Sequence, residues 1–154
     1  MKKLLLLFLS VAALSCSNDD DDNNSSNPSG TVVATIDGVE KTFNTVLVNE
    51  FYYPAEDGDP AYTELEVTAT MGNSTTEVLT FYAVKGIVGS FGSYDFEYVI
   101  NGEMYSGDLT SVVQTNNDSK QLKGNFSGEF SSWDSNSEEV VTIPVTNGSF
   151  DIQY

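Results

Sequence analysis

The chain has 154 residues with 23 aspartates and glutamates against six lysines, no arginine and no histidine, and a formal net charge of −17 at neutral pH. So lopsided a balance makes nucleic acid and anionic lipid headgroups poor partners, because both need Lys or Arg against phosphate. The lack of histidine, with a single cysteine at position 16, removes Ser-His-Asp and Cys-His catalysis, histidine-held zinc, and disulfide chemistry within the chain.

Lys2 and Lys3 precede an apolar run over residues 4–14 that only Ser10 interrupts. As a helix that run reaches about 16 Å, roughly half a bilayer's hydrocarbon core, so it reads as a secretion signal over residues 1–15 and not as a membrane span. Residues 17–30 (SNDDDDNNSSNPSG) hold no large apolar side chain. They cannot bury a core and are expected to form a disordered acidic tether with a reach of roughly 20 Å.

Ala13-Leu14-Ser15-Cys16 resembles the lipobox of bacterial lipoproteins. The resemblance implies cleavage before Cys16, a thioether-linked diacylglycerol on its sulfur and an acylated new amino terminus. Several acyl chains, each contributing about 0.8 kcal/mol per buried methylene, hold a protein firmly to a membrane. Asp19, Asp20, Asp21 and Asp22 follow the cysteine closely and resemble the acidic export signal of Bacteroidota surface lipoproteins. That resemblance implies the outer leaflet of the outer membrane facing the exterior, the periplasmic face being the alternative. A solubilising charge run is the plainer reading of the same aspartates.

From residue 31 onward the apolar periodicity is that of strands, with no helical stripe of ten residues or more. Val32, Ala34 and Ile36 alternate with Val33, Thr35 and Asp37 up to Asp37-Gly38, a hairpin signal, and the chain returns through residues 40–48. Residues 49–61 (NEFYYPAEDGDPA) contain Pro54, Gly58 and Pro60 and read as an irregular segment. Residues 62–71 form the next strand, with Leu65, Val67 and Ala69 on one face. Residues 76–84 are apolar on both faces and read as a central strand covered on both sides. Residues 85–92 hold three glycines and read as a loop or bulged corner.

Tyr94, Phe96, Tyr98 and Ile100 alternate up to Asn101-Gly102, a second hairpin signal, and the partner strand runs to about residue 114. Leu122, Gly124, Phe126, Gly128 and Phe130 give the cleanest period of two in the chain, and their glycines point to curvature or close backbone approach. Residues 133–137 read as a loop, residues 138–145 as a strand, Asn147-Gly148 as a hairpin turn and residues 149–154 as the last strand. Residues 31–154 are thus expected to be a single all-β domain, an antiparallel β-sandwich or flattened barrel-like meander of about nine strands. A single flat sheet would leave an apolar face and two edges exposed.

The stretch Leu122-Lys-Gly-Asn-Phe-Ser-Gly-Glu-Phe130, with the closing Thr146-Asn-Gly-Ser-Phe-Asp-Ile-Gln-Tyr154 and the opening Ala34-Thr-Ile-Asp-Gly-Val-Glu-Lys-Thr-Phe43, resembles small Bacteroidota surface lipoproteins of unassigned function. The resemblance implies a membrane-anchored all-β domain and brings no catalytic residue.

Phe51, Tyr52, Tyr53 and Trp133 lie on or beside the two least regular segments. Exposed rings there suit the faces of sugars, and rings that cap the open ends of the domain are the structural alternative. Asp57 and Asp59, beside Glu56, offer oxygen ligands as calcium prefers, without EF-hand spacing, and an ordinary acidic turn is the simpler reading. No other cofactor is expected. Three functions stay open: a non-enzymatic lipoprotein domain with a binding or structural role toward a surface protein, a glycan-binding module, and a hydrolase using a carboxylate pair, the one catalytic device this composition leaves.

Overall fold

The computed structural model describes residues 28–56, 58–91, 96–116 and 120–154, and no helix occurs among them. The strands are β1 (Ser29–Ile36), β2 (Val39–Phe43), β3 (Thr45–Tyr53), β4 (Tyr62–Thr70), β5 (Glu77–Val84), β6 (Gly89–Phe91), β7 (Phe96–Ile100), β8 (Glu103–Asn116), β9 (Gln121–Asp134) and β10 (Glu139–Gln153). Nine of them form one antiparallel sheet in the order β2-β1-β10-β9-β8-β7-β5-β4-β3, and β6 pairs with β8 off that path. The meander expected from the sequence is therefore present, curled into a half-barrel.

Antiparallel pairing at every step makes β2 and β3, the two edges, run in the same direction. Only Asn44 separates them, so residues 39–53 act as one bent strand whose first half pairs with β1 and whose second half pairs with β4. The Asn44 carboxamide oxygen fixes the bend by accepting the Gly72 N–H at 2.8 Å. β1 and β3 touch across it. A strand that changes partners at a bend is how a curled sheet covers its own apolar face.

That face is the core. Val32, Ala34, Ile36, Leu65, Val67, Ala69, Leu79 and Leu122 are almost wholly buried, as period-two patterning demands. Phe81, Phe96, Phe126 and Phe150 close a four-ring layer inside the curl, with neighbouring centroids at 5.1, 5.0, 6.4 and 4.9 Å going round. Each such ring contributes about 1.5–3 kcal/mol by leaving water. The glycines between the aromatics make the room: a Cβ on Gly124 would lie 2.4 Å from Phe150 Cζ, and one on Gly148 2.6 Å from the Phe126 ring. Close approach is thus the right account of the alternating glycines.

Four expectations need correcting. Asn147-Gly148 is not a hairpin turn. β10 runs unbroken from Glu139 to Gln153, and the dipeptide forms a one-residue bulge where the register slips between Val145↔Gly128 and Gly148↔Phe126. Asn147 takes the left-handed conformation there (φ 53°). β9 is long enough to pair with both halves of β10, and β1 pairs with its second half. Folding 149–154 back on 138–145 would forfeit those ladders. The segment 49–61 is regular as far as Tyr53, since β3 pairs with β4 up to Tyr53↔Tyr62. Trp133 stands on β9 opposite Val140 and not in a loop. The outer side of β5 is half-buried, so one face of this strand is core and the other is partly wet.

The hairpin signals Asp37-Gly38 and Asn101-Gly102 do form turns, with both residues of each at positive φ. With the connections at 71–76 and 135–138, these turns share one end of the curl. Pro28, Tyr154 and the connections at 54–61 and 85–88 lie at the other. The first is the hairpin end and the second the terminal end.

Candidate functional site

At the hairpin end two β-hairpins diverge. The β8–β9 ladder stops at Ser106↔Ser131, although β8 begins at Glu103 and β9 continues to Asp134. Glu103, Met104 and Tyr105 keep their partners on β7, and Ser132, Trp133 and Asp134 keep theirs on β10. The gap between the two hairpins is an open groove of about 360 Å³, bounded by those six residues with Ser135, Asn136 and Val141. A volume of that order lies at the small end of the range of ligand sites.

Trp133 is 62% exposed and Met104 58%, so the groove's apolar surface faces water. The polar groups converge beside it. Asp134 Oδ1 accepts the Asn136 backbone N–H at 2.8 Å, and Oδ2 accepts the Ser137 hydroxyl at 2.9 Å. Those bonds hold the Asp134 carboxyl below the usual carboxylate range and fix the turn that forms one wall. The Tyr105 hydroxyl donates to Glu103 Oε2 at 3.0 Å, and that bond pushes the phenol's pKa up. A large flat apolar ring flanked by carboxylates and a carboxamide can stack on a sugar ring and bond its hydroxyls.

The structure does not bring Trp133 together with Tyr52 and Tyr53, which sit at the terminal end where β3 meets β4. There Tyr53 stacks on Tyr62 with centroids 4.8 Å apart and planes 17° apart. Tyr52 is 70% exposed. The Glu64 carboxylate next to Tyr53 raises its phenol pKa, chiefly by charge. Tyr62 was not legible as a site residue, although it opens β4 across the connection from Tyr53, the register a hairpin would give it. Met104 and Glu103 were missed as well. An apolar side chain two residues past the Asn101-Gly102 turn, on an otherwise polar face, was the available signal.

Inside the hairpin end, Glu77 Oε1 accepts from both the Lys41 ammonium and the Tyr98 hydroxyl. Burial, then the bond to Glu77, raises the Tyr98 pKa far above that of a free phenol. The Lys41–Glu77 pair ties β2 to β5 across the interior beside a small apolar recess formed by Ile36, Val39, Ile100 and Ile143.

Among the remaining sequence candidates, Asp59 closes a tight turn by donating its N–H to the Glu56 carbonyl at 2.9 Å, with Gly58 at φ 96°. Asp57, Cys16, Asp19, Asp20, Asp21 and Asp22 lie outside the described residues. Among the described residues no group of three or more His, Cys, Asp or Glu side chains is arranged to hold a metal ion. No helix there is long and apolar enough to cross a membrane. No protein-family model, curated protein or solved structure matches this chain.

Proposed function

We propose that the chain is a bacterial lipoprotein, anchored through Cys16 in the outer membrane and facing the exterior, whose non-enzymatic β-domain binds a neutral glycan in the groove around Trp133. The observation that carries the binding half is the divergence of the β7–β8 and β9–β10 hairpins, which leaves an exposed tryptophan beside polar groups in an open cleft. A flat surface with a lone tryptophan would not carry it. The anchoring half is supported by the lipobox-like Ala13-Leu14-Ser15-Cys16 and the aspartates after it. The chain's acidity favours an uncharged ligand over an anionic one.

Hydrolysis needs a carboxyl that stays protonated near neutral pH to act as general acid. Asp134, a carboxyl of the groove, is shifted the other way and does not suit that role.

Two measurements test the reading. On a glycan array Trp133→Ala should lose at least tenfold in affinity for any bound glycan, about 1.4 kcal/mol. Equal retention by the variant refutes the groove. For the anchor, Cys16→Ser should leave the membrane fraction and lose the mass of the acyl groups. Protease treatment of intact cells should remove the wild-type domain if it faces outward, and survival of the domain favours the periplasmic face.

A further inference from the structure

The two ends of the curl differ in charge as well as in shape. Lys85, Lys120 and Lys123, three of the four lysines beyond the leader, lie at the terminal end. Lys85 and Lys120 meet Glu50 at 2.6 and 3.5 Å, and Lys123 meets Asp151 at 3.1 Å. The hairpin end carries Asp37, Glu40, Glu103, Asp134, Glu138 and Glu139, and its one lysine, Lys41, is committed to Glu77. Lysine is therefore concentrated at the terminal end, where it offsets Glu50 and Asp151 but not Glu56, Asp59 or Glu64, and the hairpin end is the more acidic of the two.

The same terminal rim exposes large apolar side chains. Tyr52, Tyr53 and Tyr62 project where β3 meets β4, and Ile87 and Val88 project between β5 and β6, at 51% and 58% exposure. Tyrosines and short aliphatic chains partition to the boundary between headgroups and acyl chains, and lysine stems lie along such surfaces with their ammonium groups in water. Pro28, the first described residue, is at this end, and the segment leading back to Cys16 is short.

We infer that the terminal rim rests on the lipid headgroup layer as a second, non-covalent membrane contact, with the Trp133 groove facing away from the bilayer. This rests on the anchored reading proposed above. A zwitterionic surface such as phosphatidylethanolamine and phosphatidylcholine suits a rim whose lysines are already paired. The more acidic hairpin end is repelled more strongly than the rim from any anionic lipid mixed in, which favours the same orientation. Covalent attachment through Cys16 would hold the rim at an effective concentration on the order of millimolar, so a contact too weak to recruit the free domain suffices.

The lipidated chain is reconstituted into phosphatidylethanolamine–phosphatidylcholine vesicles and its acylation verified by mass. Cys16 is the sole cysteine and its sulfur is consumed by the lipid, so Glu56→Cys at the terminal end and Asn73→Cys at the hairpin end each supply one free thiol for a dye. Energy transfer to a headgroup-attached acceptor should be several-fold stronger from position 56 than from position 73. The difference should persist when ten Gly/Ser residues are added to the tether, and it should vanish in Tyr52→Ser/Val88→Ser with unchanged circular dichroism. Equal transfer from both positions, or transfer that falls with tether length, overturns the proposal. If mass shows no acylation, the anchor has failed instead. The labelled Cys16→Ser chain at millimolar concentration then decides the rim alone: vesicle-induced transfer at position 56 over position 73 supports it, and no difference refutes it.

Discussion

Replacing Gly124 by alanine tests the packing of the interior most directly. The new methyl carbon would sit 2.4 Å from Phe150 Cζ and 2.4 Å from the Val112 carbonyl oxygen, against an ordinary carbon contact of about 3.5–4.0 Å. The ring cannot simply swing aside, because Phe150 is packed on Phe81 at 4.9 Å and on Phe126 at 6.4 Å. The oxygen belongs to the β8 backbone, which is paired with β9. Overpacking of this kind costs about 1–3 kcal/mol, and two simultaneous overlaps put this site at the upper end, about 3 kcal/mol. For a domain of this size that lowers Tm by about 10 °C. Thermal unfolding followed by far-ultraviolet circular dichroism measures it. Phe150→Leu alone should also destabilise, but in the Gly124→Ala background it should recover at least 1 kcal/mol relative to additivity, since it removes the atom that clashes. A Gly124→Ala Tm within 2 °C of wild type, or strictly additive effects, would refute the close-approach account of these glycines.

Two further outcomes follow from the ion pairs. Lys41→Met or Glu77→Leu alone should each cost about 3 kcal/mol by leaving an uncompensated charge in the hairpin end, whereas the double variant should recover only part of that loss, because the buried Tyr98 hydroxyl still lacks its acceptor; urea unfolding of the three chains reads this. The Lys85 ammonium holds the Glu50 carboxyl below the usual carboxylate range, so the unfolded chain binds that proton at higher pH than the folded one. The stability it contributes is present above the unfolded carboxylate pKa, about 4.3, and is lost as pH falls through the lower folded value. The pair is partly exposed, so the effect is under about 1 kcal/mol. Glu50→Gln should flatten the acid limb of the stability profile below pH 4.5, and an unchanged limb would show the pair to be inert.

Fold class was legible because apolar side chains recur every second residue: Val32-Ala34-Ile36, Leu65-Val67-Ala69 and Phe150-Ile152 are buried as a set. Turn chemistry read the hairpins at Asp37-Gly38 and Asn101-Gly102 correctly. It failed at Asn147-Gly148, where Asn147 alone is left-handed and serves a bulge, because neighbouring strands claim the backbone on both sides. Local signals cannot report that competition. Prolines 54 and 60 suggested irregularity over 49–61, yet β3 holds as far as Tyr53 through its ladder to β4. Trp133 was visible as a candidate by its chemistry. Its groove was not, because it arises from where one ladder stops, at Ser106↔Ser131, and no residue type marks that point. The separation of Trp133 from Tyr52 and Tyr53 is likewise a property of strand direction and not of composition.

Trp133 is the only tryptophan in the chain, so its emission reports on the groove without labelling. Titrating the protein with a panel of neutral hexose, hexosamine and pentose oligosaccharides should give a saturable blue shift with at least one of them, and calorimetry should show that glycan's binding weakened at least tenfold in Trp133→Ala. Emission that no oligosaccharide alters, or binding that the alanine variant keeps in full, would contradict the assignment of this groove as a glycan site.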